Sequence, residues 1–469
     1  MELRIPADVE KVTDRLREQG HEAYVVGGCV RDAIRGVDPA DWDVATDARP
    51  EEIQSIFKRS LYLNRFGTVV VRMAGPAGSD KGREVEITTF RVESEYSDRR
   101  RPDTVAFTDS LHDDLSRRDF TINAMAWRPS RDGEDPRGTL VDPFGGQADL
   151  TAKIVRAVRD PDERFSEDAL RMLRAVRFAT TLGFRIDPAT AEGIRRNAQL
   201  AKELSGERIQ QEILKIVLSP VPSVGFRMLS ELGLLEVIAP ELERCRHTPQ
   251  EKVAAQDVFE HSLATLDAAA SDVPKNVTDE DDLVLRLAAL LHDVGKPDTY
   301  DDGHFHQHEF VGEAKARIIL RRWKLPKEVV ERTTHLIRHH MFWYQSEWTS
   351  SAVRRFIRKV GLDRIRDLFF LRRVDNIGSG ARVPRLRELD ELWLRVEEEI
   401  QRANAFSKRD LAVDGHDVMA ALGLRPGPEV GRITDAIFER VLDEPELNEK
   451  ERLLDLAKEI HERGVASGD

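Results

Sequence analysis

Short runs of β-branched residues between Gly, Asp and Pro breaks fill the first 150 residues, and after that point the strand pattern almost vanishes. AYVVGG, WDVAT, FGTVVVRM and EVEITTF read as strands, with helices predicted over 9–19, 30–35 and 50–57. GPAGSDKGR is a loop on composition. Downstream, SEDALRMLRAVRFATTLGF, GERIQQEILKIVL and KEVVERTTHLIRHHM carry apolar residues at three- and four-residue spacing, which is helical. The predicted class is α+β, a small mixed sheet with helices followed by an all-α body. At 469 residues the chain exceeds one core. We expect a head over 1–150, a helical neck over 151–250, a second module over 251–380 and a helical tail over 381–469.

Hydrophobic residues at 40% and charged residues at 33% describe a globular protein. No apolar run approaches the roughly 20 residues that span a bilayer, and the N-terminus lacks a signal-peptide apolar core. Cys29 and Cys245 are the two cysteines, too few for a disulfide framework. The expectation is a cytoplasmic protein without a membrane partner; nothing in the sequence fixes an oligomeric state. A net charge of −13 argues against a body coated in lysine for generic nucleic-acid binding. It leaves room for a local basic groove, for which Arg99-Arg100-Arg101, Arg195-Arg196 and the Arg364 to Arg373 segment are the candidates.

Chemistry first appears in VVGGCVRDAIRG and DWDVATDA. Gly27 and Gly28 come off a strand into a helix, where missing side chains let a phosphate approach the backbone. By itself such a pair is usually a turn; Arg31 can reach a triphosphate and Asp32 can steady the turn. Asp41 and Asp43 flank Trp42, and residues two apart on a strand face the same side. Two converging carboxylates suit Mg²⁺ that is also held by substrate phosphates. A lone Asp-x-Asp is more often two surface acids. Glu86 in EVEITTF is either a third carboxylate or a solvent-facing strand residue.

Taken in order, GGCVRD, DWDVATDA, EVEITTFR, RRDFTINAMA, VDPFGG and SEDALRMLRAVRF resemble the class II, bacterial-type CCA-adding tRNA nucleotidyltransferases of the polymerase β-like superfamily. The resemblance is dense over the first 220 residues and looser over the last 60. It implies a metal-binding pair at Asp41 and Asp43, with triphosphate contacts at Gly28 and Arg31. It further implies nucleotide contact by Arg118, ribose-binding and site-shaping roles for Asp119 and Asn123, and a nucleotide grip by Arg174 and Arg177. RVESEYSDRRRPDTV resembles the family's flexible loop, Glu207, Arg208 and Glu212 lie in a supporting helical motif, and the C-terminal segment resembles a body and tail for tRNA.

Asp168 and Arg171, three apart, are predicted on one helix face. An aspartate accepts from an exocyclic amine while an arginine donates to a ring nitrogen. Cytosine and adenine both present an amine beside an acceptor, and uracil and guanine do not. One Asp/Arg pair can thus replace a template, each good contact being worth about 1–3 kcal/mol of discrimination.

A second constellation comprises His261, His292, Asp293, His308, the adjacent His339 and His340, and Asp375. ALLHDVGKPDTY resembles an HD-domain phosphohydrolase, and imidazoles with carboxylates on several helices suit one or two divalent transition metals. We assign His339 to the ligand set, although adjacent helix positions diverge by about 100° and the sequence does not choose between it and His340. The expected function is addition of C, C and A to tRNA from CTP and ATP with pyrophosphate release, plus HD phosphohydrolase activity. The alternatives are a CC-adding enzyme, a poly(A) polymerase, and an HD phosphohydrolase or regulator with an inert head.

Overall fold

Up to residue 141 the described strands are, in chain order, β1 (Ala23–Val26), β2 (Asp43–Thr46), β3 (Ser60–Asn64), β4 (Thr68–Arg72), β5 (Glu84–Thr89), β6 (Arg91–Ser94), β7 (Thr104–Phe107), β8 (Ala126–Arg128) and β9 (Thr139–Val141), and only two-residue strands follow. Seven of them join one mixed sheet of order β3-β4-β5-β2-β1-β8-β9, and β6 with β7 forms a separate hairpin. The computed structural model describes residues 3–64, 67–73, 83–94, 104–130, 138–250, 256–274, 277–302, 304–344, 347–380, 383–402 and 406–466. It divides into two units, 1–243 and 244–469.

Burial follows strand position. β1 sits centrally and is buried at every residue, whereas β5 alternates, with Val85, Ile87 and Thr89 turned into the core and Glu84 and Glu86 exposed. β2 and β5 run parallel and pair Asp43 with Glu86 and Val44 with Ile87. That register sends one apolar pair inward and one acidic pair to the open face. The four predicted strands correspond to β1, β2, β4 and β5. β3, β8 and β9 escaped notice because runs of three to five residues carry little periodicity. Residues 95–103 of the loop resemblance, including Arg99-Arg100-Arg101, and nearly all of GPAGSDKGR lie outside the described residues.

The helices of this unit are α1 (Ala7–Glu18), α2 (Gly28–Ile34), α3 (Pro50–Ile56), α4 (Leu111–Ser116), α5 (Gly146–Ala152), α6 (Pro161–Glu167), α7 (Leu170–Leu182), α8 (Pro188–Asn197), α9 (Gly206–Val217), α10 (Pro222–Glu231), α11 (Leu234–Ile238) and α12 (Pro240–Glu243). α7 is buried along most of its length and packs on α9 and α10. The expected single helix through SEDALRMLRAVRF is broken: α6 ends at Glu167, Asp168 is extended (φ −145°, ψ 103°), and α7 starts at Leu170. Asp168 Oδ1 accepts from the Leu170 N–H at 3.0 Å, so the aspartate caps the new helix instead of continuing the old one.

The second unit contains α13 (Val258–Asp272), α14 (Asp279–Leu291), α15 (His308–Arg322), α16 (Lys327–His339), α17 (Ser350–Val360), α18 (Ile365–Gly378), α19 (Val383–Arg402), α20 (Gly415–Leu422), α21 (Pro428–Asp443) and α22 (Lys450–Ala466). α13 packs on α14 and α18, and α16 on α14 and α15, making a bundle. The last three helices enclose their own core around Val418, Ile437, Phe438 and Leu453. Buried Arg354 of α17 donates to the Leu442 and Asp443 carbonyls at 2.5 and 2.8 Å and pairs with Glu399 of α19.

Gly146 opens α5 against the turn Thr121–Asn123; a Cβ there would stand 2.2 Å from the Thr121 carbonyl oxygen and 2.9 Å from Met125 Cγ. Gly146→Ala is expected to cost about 1–3 kcal/mol in chemical denaturation of the first unit, from overpacking. An unchanged midpoint would show that this contact yields freely.

Candidate active site

The first site forms where β1 ends and β2 begins. Gly27 has φ +81°, and a Cβ on it would sit 2.8 Å from Arg118 Nη1 and 3.8 Å from Asp43 Oδ2. Only glycine meets both demands, so the chain backbone passes directly beside the carboxylate. Gly28 begins α2. Asp43 opens β2 beside its register partner Glu86, while Asp41 is exposed on the lead-in to the strand. Burial, with further charge repulsion from Glu86 and Asp41, pushes the Asp43 carboxyl up to about 6 against the opposing pull of Arg118. An acidic group so destabilised fits a hard divalent cation, and the donors are all oxygens.

Behind the carboxylates lies a network around Asp119. Its carboxylate accepts from Arg174 Nε at 2.8 Å and from Asn123 Nδ2 at 3.1 Å. Burial acts to raise its pKa, but the charge of Arg174, these hydrogen bonds and the charge of Arg171 hold it at about 2. Asn123 Oδ1 in turn accepts from Arg31 Nη1 at 2.7 Å, and Asp32 holds the other side of Arg31 at 2.9 and 2.7 Å. Arg177 pairs with buried Glu212, and Arg118 bonds Asp114 at 3.2 Å. The Phe178 ring collects three guanidinium groups: Arg177 at 3.7 Å, Arg31 at 5.2 Å and Arg174 at 5.3 Å from its centre.

Most of the predicted nucleotide residues thus lie in one connected network; Asp168 and Arg171 differ from expectation. They do not share a helix. Asp168 bonds Arg208 Nη2 at 2.7 Å, and Arg171 Nη1 bonds Glu167 at 2.5 Å while its Nη2 donates to the Arg117 carbonyl at 3.0 Å. Phe178 was missed as a site residue, and Arg208 and Glu212, expected only in a supporting motif, bond Asp168 and Arg177 directly. Their signal was the spacing: Phe178 lies four residues past Arg174, and Arg208 and Glu212 are four apart on one helix. Of the basic stretches, Arg196 is engaged by Asp162, Arg372 by Asp375 and Arg373 by Asp272.

The second unit holds a buried cluster at the centre of its bundle. His261 (α13), His292 (after α14) and Asp375 (α18) form one group, and Asp293, His308 (α15) and His340 (after α16) form another. Asp293 bridges them, its Oδ2 lying 3.2 Å from His292 Nε2 and its Oδ1 3.2 Å from His308 Nε2. Nδ1 of His292, His308 and His340 faces the carbonyls of Ala289, Phe305 and Ile337 at 2.9, 3.0 and 2.7 Å. Carbonyls only accept, which fixes a proton on each Nδ1 and leaves Nε2 of a neutral ring as a lone pair. His308 and His340 are both fixed in this way, and their Nε2 atoms meet at 3.3 Å. Lone pairs brought that close call for a cation between them. Burial pushes His340 down to about 4, the metal-ligating form. His339 does not enter the cluster: its ring packs tilted against His335, ring centres 4.6 Å apart. The buried stripe Thr333, Leu336 and Ile337 of α16 reaches 340 at steps of seven, four and three, a signal that could have separated the two histidines. Lys296, also missed, bonds Asp293 Oδ2 at 2.5 Å.

Paired carboxylates beside a glycine turn and an arginine-lined nucleotide pocket define a nucleotidyltransferase head, joined in this chain to an HD-type bundle. Residues 23–156 match the profile described as "Poly A polymerase head domain", and residues 258–379 match "HD domain". Residues 183–245 match "Probable RNA and SrmB- binding site of polymerase A". The chain is 33% identical to the CCA-adding enzyme of Geobacillus stearothermophilus, covering 94% of each, and 35% identical to that of Levilactobacillus brevis, covering 94% of this chain and 95% of the relative. The crystal structure of the Bacillus stearothermophilus CCA-adding enzyme in complex with CTP superposes with a TM-score of 0.69 at 29% identity, over 99% of this chain and 100% of that one. The Thermotoga maritima CCA-adding enzyme complexed with tRNA_CCA shares the fold (TM-score 0.59, 19% identity, 97% of each). The chain belongs to the CCA-adding enzyme family, and is a nucleotidyltransferase. Among the described residues, no helix is long and apolar enough to cross a membrane.

Because the folded pKa of Asp43 is raised, its contribution favours the metal-free fold below about pH 4 and is lost as pH rises through about 6. In EDTA at pH 8, Asp43→Asn is therefore expected to stabilise the first unit by about 2 kcal/mol, with the gain disappearing near pH 4. A pH-independent difference in thermal melting would contradict the charge crowding.

Proposed function

We propose that this enzyme adds C, C and A in turn to the 3′ end of tRNA, drawing on CTP and ATP and releasing pyrophosphate at each step. The observation that carries it is the pairing of Asp43 with Glu86 beside the Gly27 backbone, next to a pocket of fixed arginines. Full-length relatives that are CCA-adding enzymes favour this over poly(A) synthesis or a CC-only enzyme. Asp41, Asp43 and Glu86 would hold Mg²⁺, which when bound neutralises phosphate charge and makes the tRNA 3′-hydroxyl easier to deprotonate. Gly27 and Gly28 let the triphosphate approach the backbone, and Arg31, Arg118, Arg174 and Arg177 supply its countercharge. Asp119 and Asn123 face the ribose and set the angle of Arg31 and Arg174. Asp168 and Arg171 read the base edge, for which Asp168 gives up Arg208 and Arg171 gives up Glu167; this exchange ties base choice to nucleotide entry. The working compartment is the cytoplasm.

A second activity is supported by the histidine cluster. His261, His292, Asp293, His308, His340 and Asp375 would hold one or two divalent transition metals, their imidazole nitrogens favouring these over Mg²⁺. The chemistry supplied is phosphoester hydrolysis.

Purified protein with Mg²⁺ and tRNA lacking its CCA end tests the main reading with labelled CTP and ATP. The expected product is three nucleotides longer and stops after A; two C residues with ATP present, or long A tails, would replace it with a rival. Asp41→Ala should lower the rate by at least about 10³-fold. Asp168→Ala should cut discrimination between CTP and UTP by about 10- to 100-fold, and unchanged discrimination would sink the protein-template role.

A further inference from the structure

Beside the second half of the histidine cluster lies a cavity of about 480 Å³, enough for a nucleotide-sized ligand. Its walls come from the first turn of α15, the end of α16 with the segment after it, and α17. Glu309 and Phe310, next after His308, and His339 and Met341, on either side of His340, all line it. The wall is therefore built from the same chain segments as two of the cluster's histidines.

The lining combines flat π surfaces with positive charge. Phe342, Phe356 and Trp348 form an aromatic floor, with Phe356 5.0 Å from Phe342 and 5.7 Å from Trp348 between ring centres. Trp343 leaves 71% of its surface exposed, an unusual position for an indole unless something covers it. The Arg338 guanidinium carbon sits over Phe310, 3.3 Å from the ring centre, which leaves its other face as a second surface for a base. Arg355 is engaged by Asp443 at 2.8 Å and Glu439 at 3.4 Å. The closest acid to Arg338 is Glu313 at 3.8 Å, itself bonded to Arg317 at 3.2 Å, while Lys359 is exposed at the wall. Against these cations the cavity lining offers one acid, Glu309. Aromatic faces next to cations are the recognition chemistry of a base with its phosphate.

We propose that this cavity binds a nucleoside phosphate, its base stacked on Trp343 and on the outer face of Arg338 and its phosphate drawn to Lys359. Presentation of that phosphate to the Asp293, His308 and His340 group rests on the phosphohydrolase reading above; binding does not. In the hydrolysis, a water oxygen bonds to phosphorus, the ester P–O bond breaks, and one proton passes to the leaving hydroxyl. The nucleoside phosphate can be a free mononucleotide or the last nucleotide of an RNA.

The test uses the full chain with Mn²⁺ and an azido-adenosine 3′-phosphate photolabel, followed by peptide mapping. Labelling is expected within residues 338–359, with about tenfold loss in the double variant Arg338→Ala/Trp343→Ala, and about a tenfold rise in KM for 3′-AMP hydrolysis with kcat within twofold. Label confined to residues 1–243, or equal labelling of the double variant, would overturn the cavity assignment. Hydrolysis of p-nitrophenyl phosphate by the wild-type protein reports the metal cluster separately: labelling at 338–359 without any hydrolysis upholds the cavity and removes the phosphohydrolase reading. Hydrolysis with unchanged KM in the variant does the reverse. Stronger competition by an oligonucleotide ending in a 3′-phosphate than by 3′-AMP upholds the cavity with RNA as the source; the opposite order upholds it for free nucleotides.

Discussion

The buried ion pair between Asp119 and Arg174 ties the loop after α4 to α7 at the proposed nucleotide pocket, and the pocket's other groups take their positions from it. Asp119 also holds Asn123, Asn123 holds Arg31, and Glu212 steadies Arg177 on the far side of Phe178. Placing a carboxylate out of water costs several kcal/mol, which an ion pair offsets only with good geometry and further hydrogen bonds. Asp119 has both, and its pKa falls to about 2 as a result. The arrangement explains how three guanidinium groups can crowd one aromatic ring without splaying apart. Each is tied to an acid or an amide on a different element.

The two candidate metal sites are frustrated in opposite ways. In the head, burial and the charges of Glu86 and Asp41 make Asp43 harder to ionise; in the bundle, the Nε2 lone pairs of His308 and His340 point at one another. Oxygen donors favour a hard ion and imidazole nitrogens a softer one, so the two donor sets differ in the metal they suit. Burial opposes ionisation of the cluster's carboxylates, yet His292 and then Lys296 beside Asp293, and His261, His292 and then Arg372 beside Asp375, hold both well below the usual carboxylate range.

What the sequence revealed was what repeats with a period. The division between a strand-rich head and a helical body, the Asp43 face of β2 and the helical placement of Arg171, Arg174 and Arg177 all follow from spacing. Asp168 escaped because it caps a helix rather than extending one, and a cap depends on backbone angles that apolar spacing does not encode. Glu86 could not be assigned from its own strand, since β5 alternates either way; the parallel register with β2 is a long-range fact. His339 was chosen over His340 for the same kind of reason. Two neighbours in a helix look equivalent until the buried stripe of α16 is known.

The central claim, that Asp119 and Arg174 act as one unit in holding the nucleotide, is tested most directly by a double-mutant cycle on CTP affinity. Asp119→Asn, Arg174→Gln and the pair would be compared by calorimetric titration with the full chain. A coupling energy of about 1–3 kcal/mol, with the double variant no weaker than the worse single one, is the predicted result. Additive losses would mean that the two residues contact the nucleotide independently, and would contradict this account of the pocket.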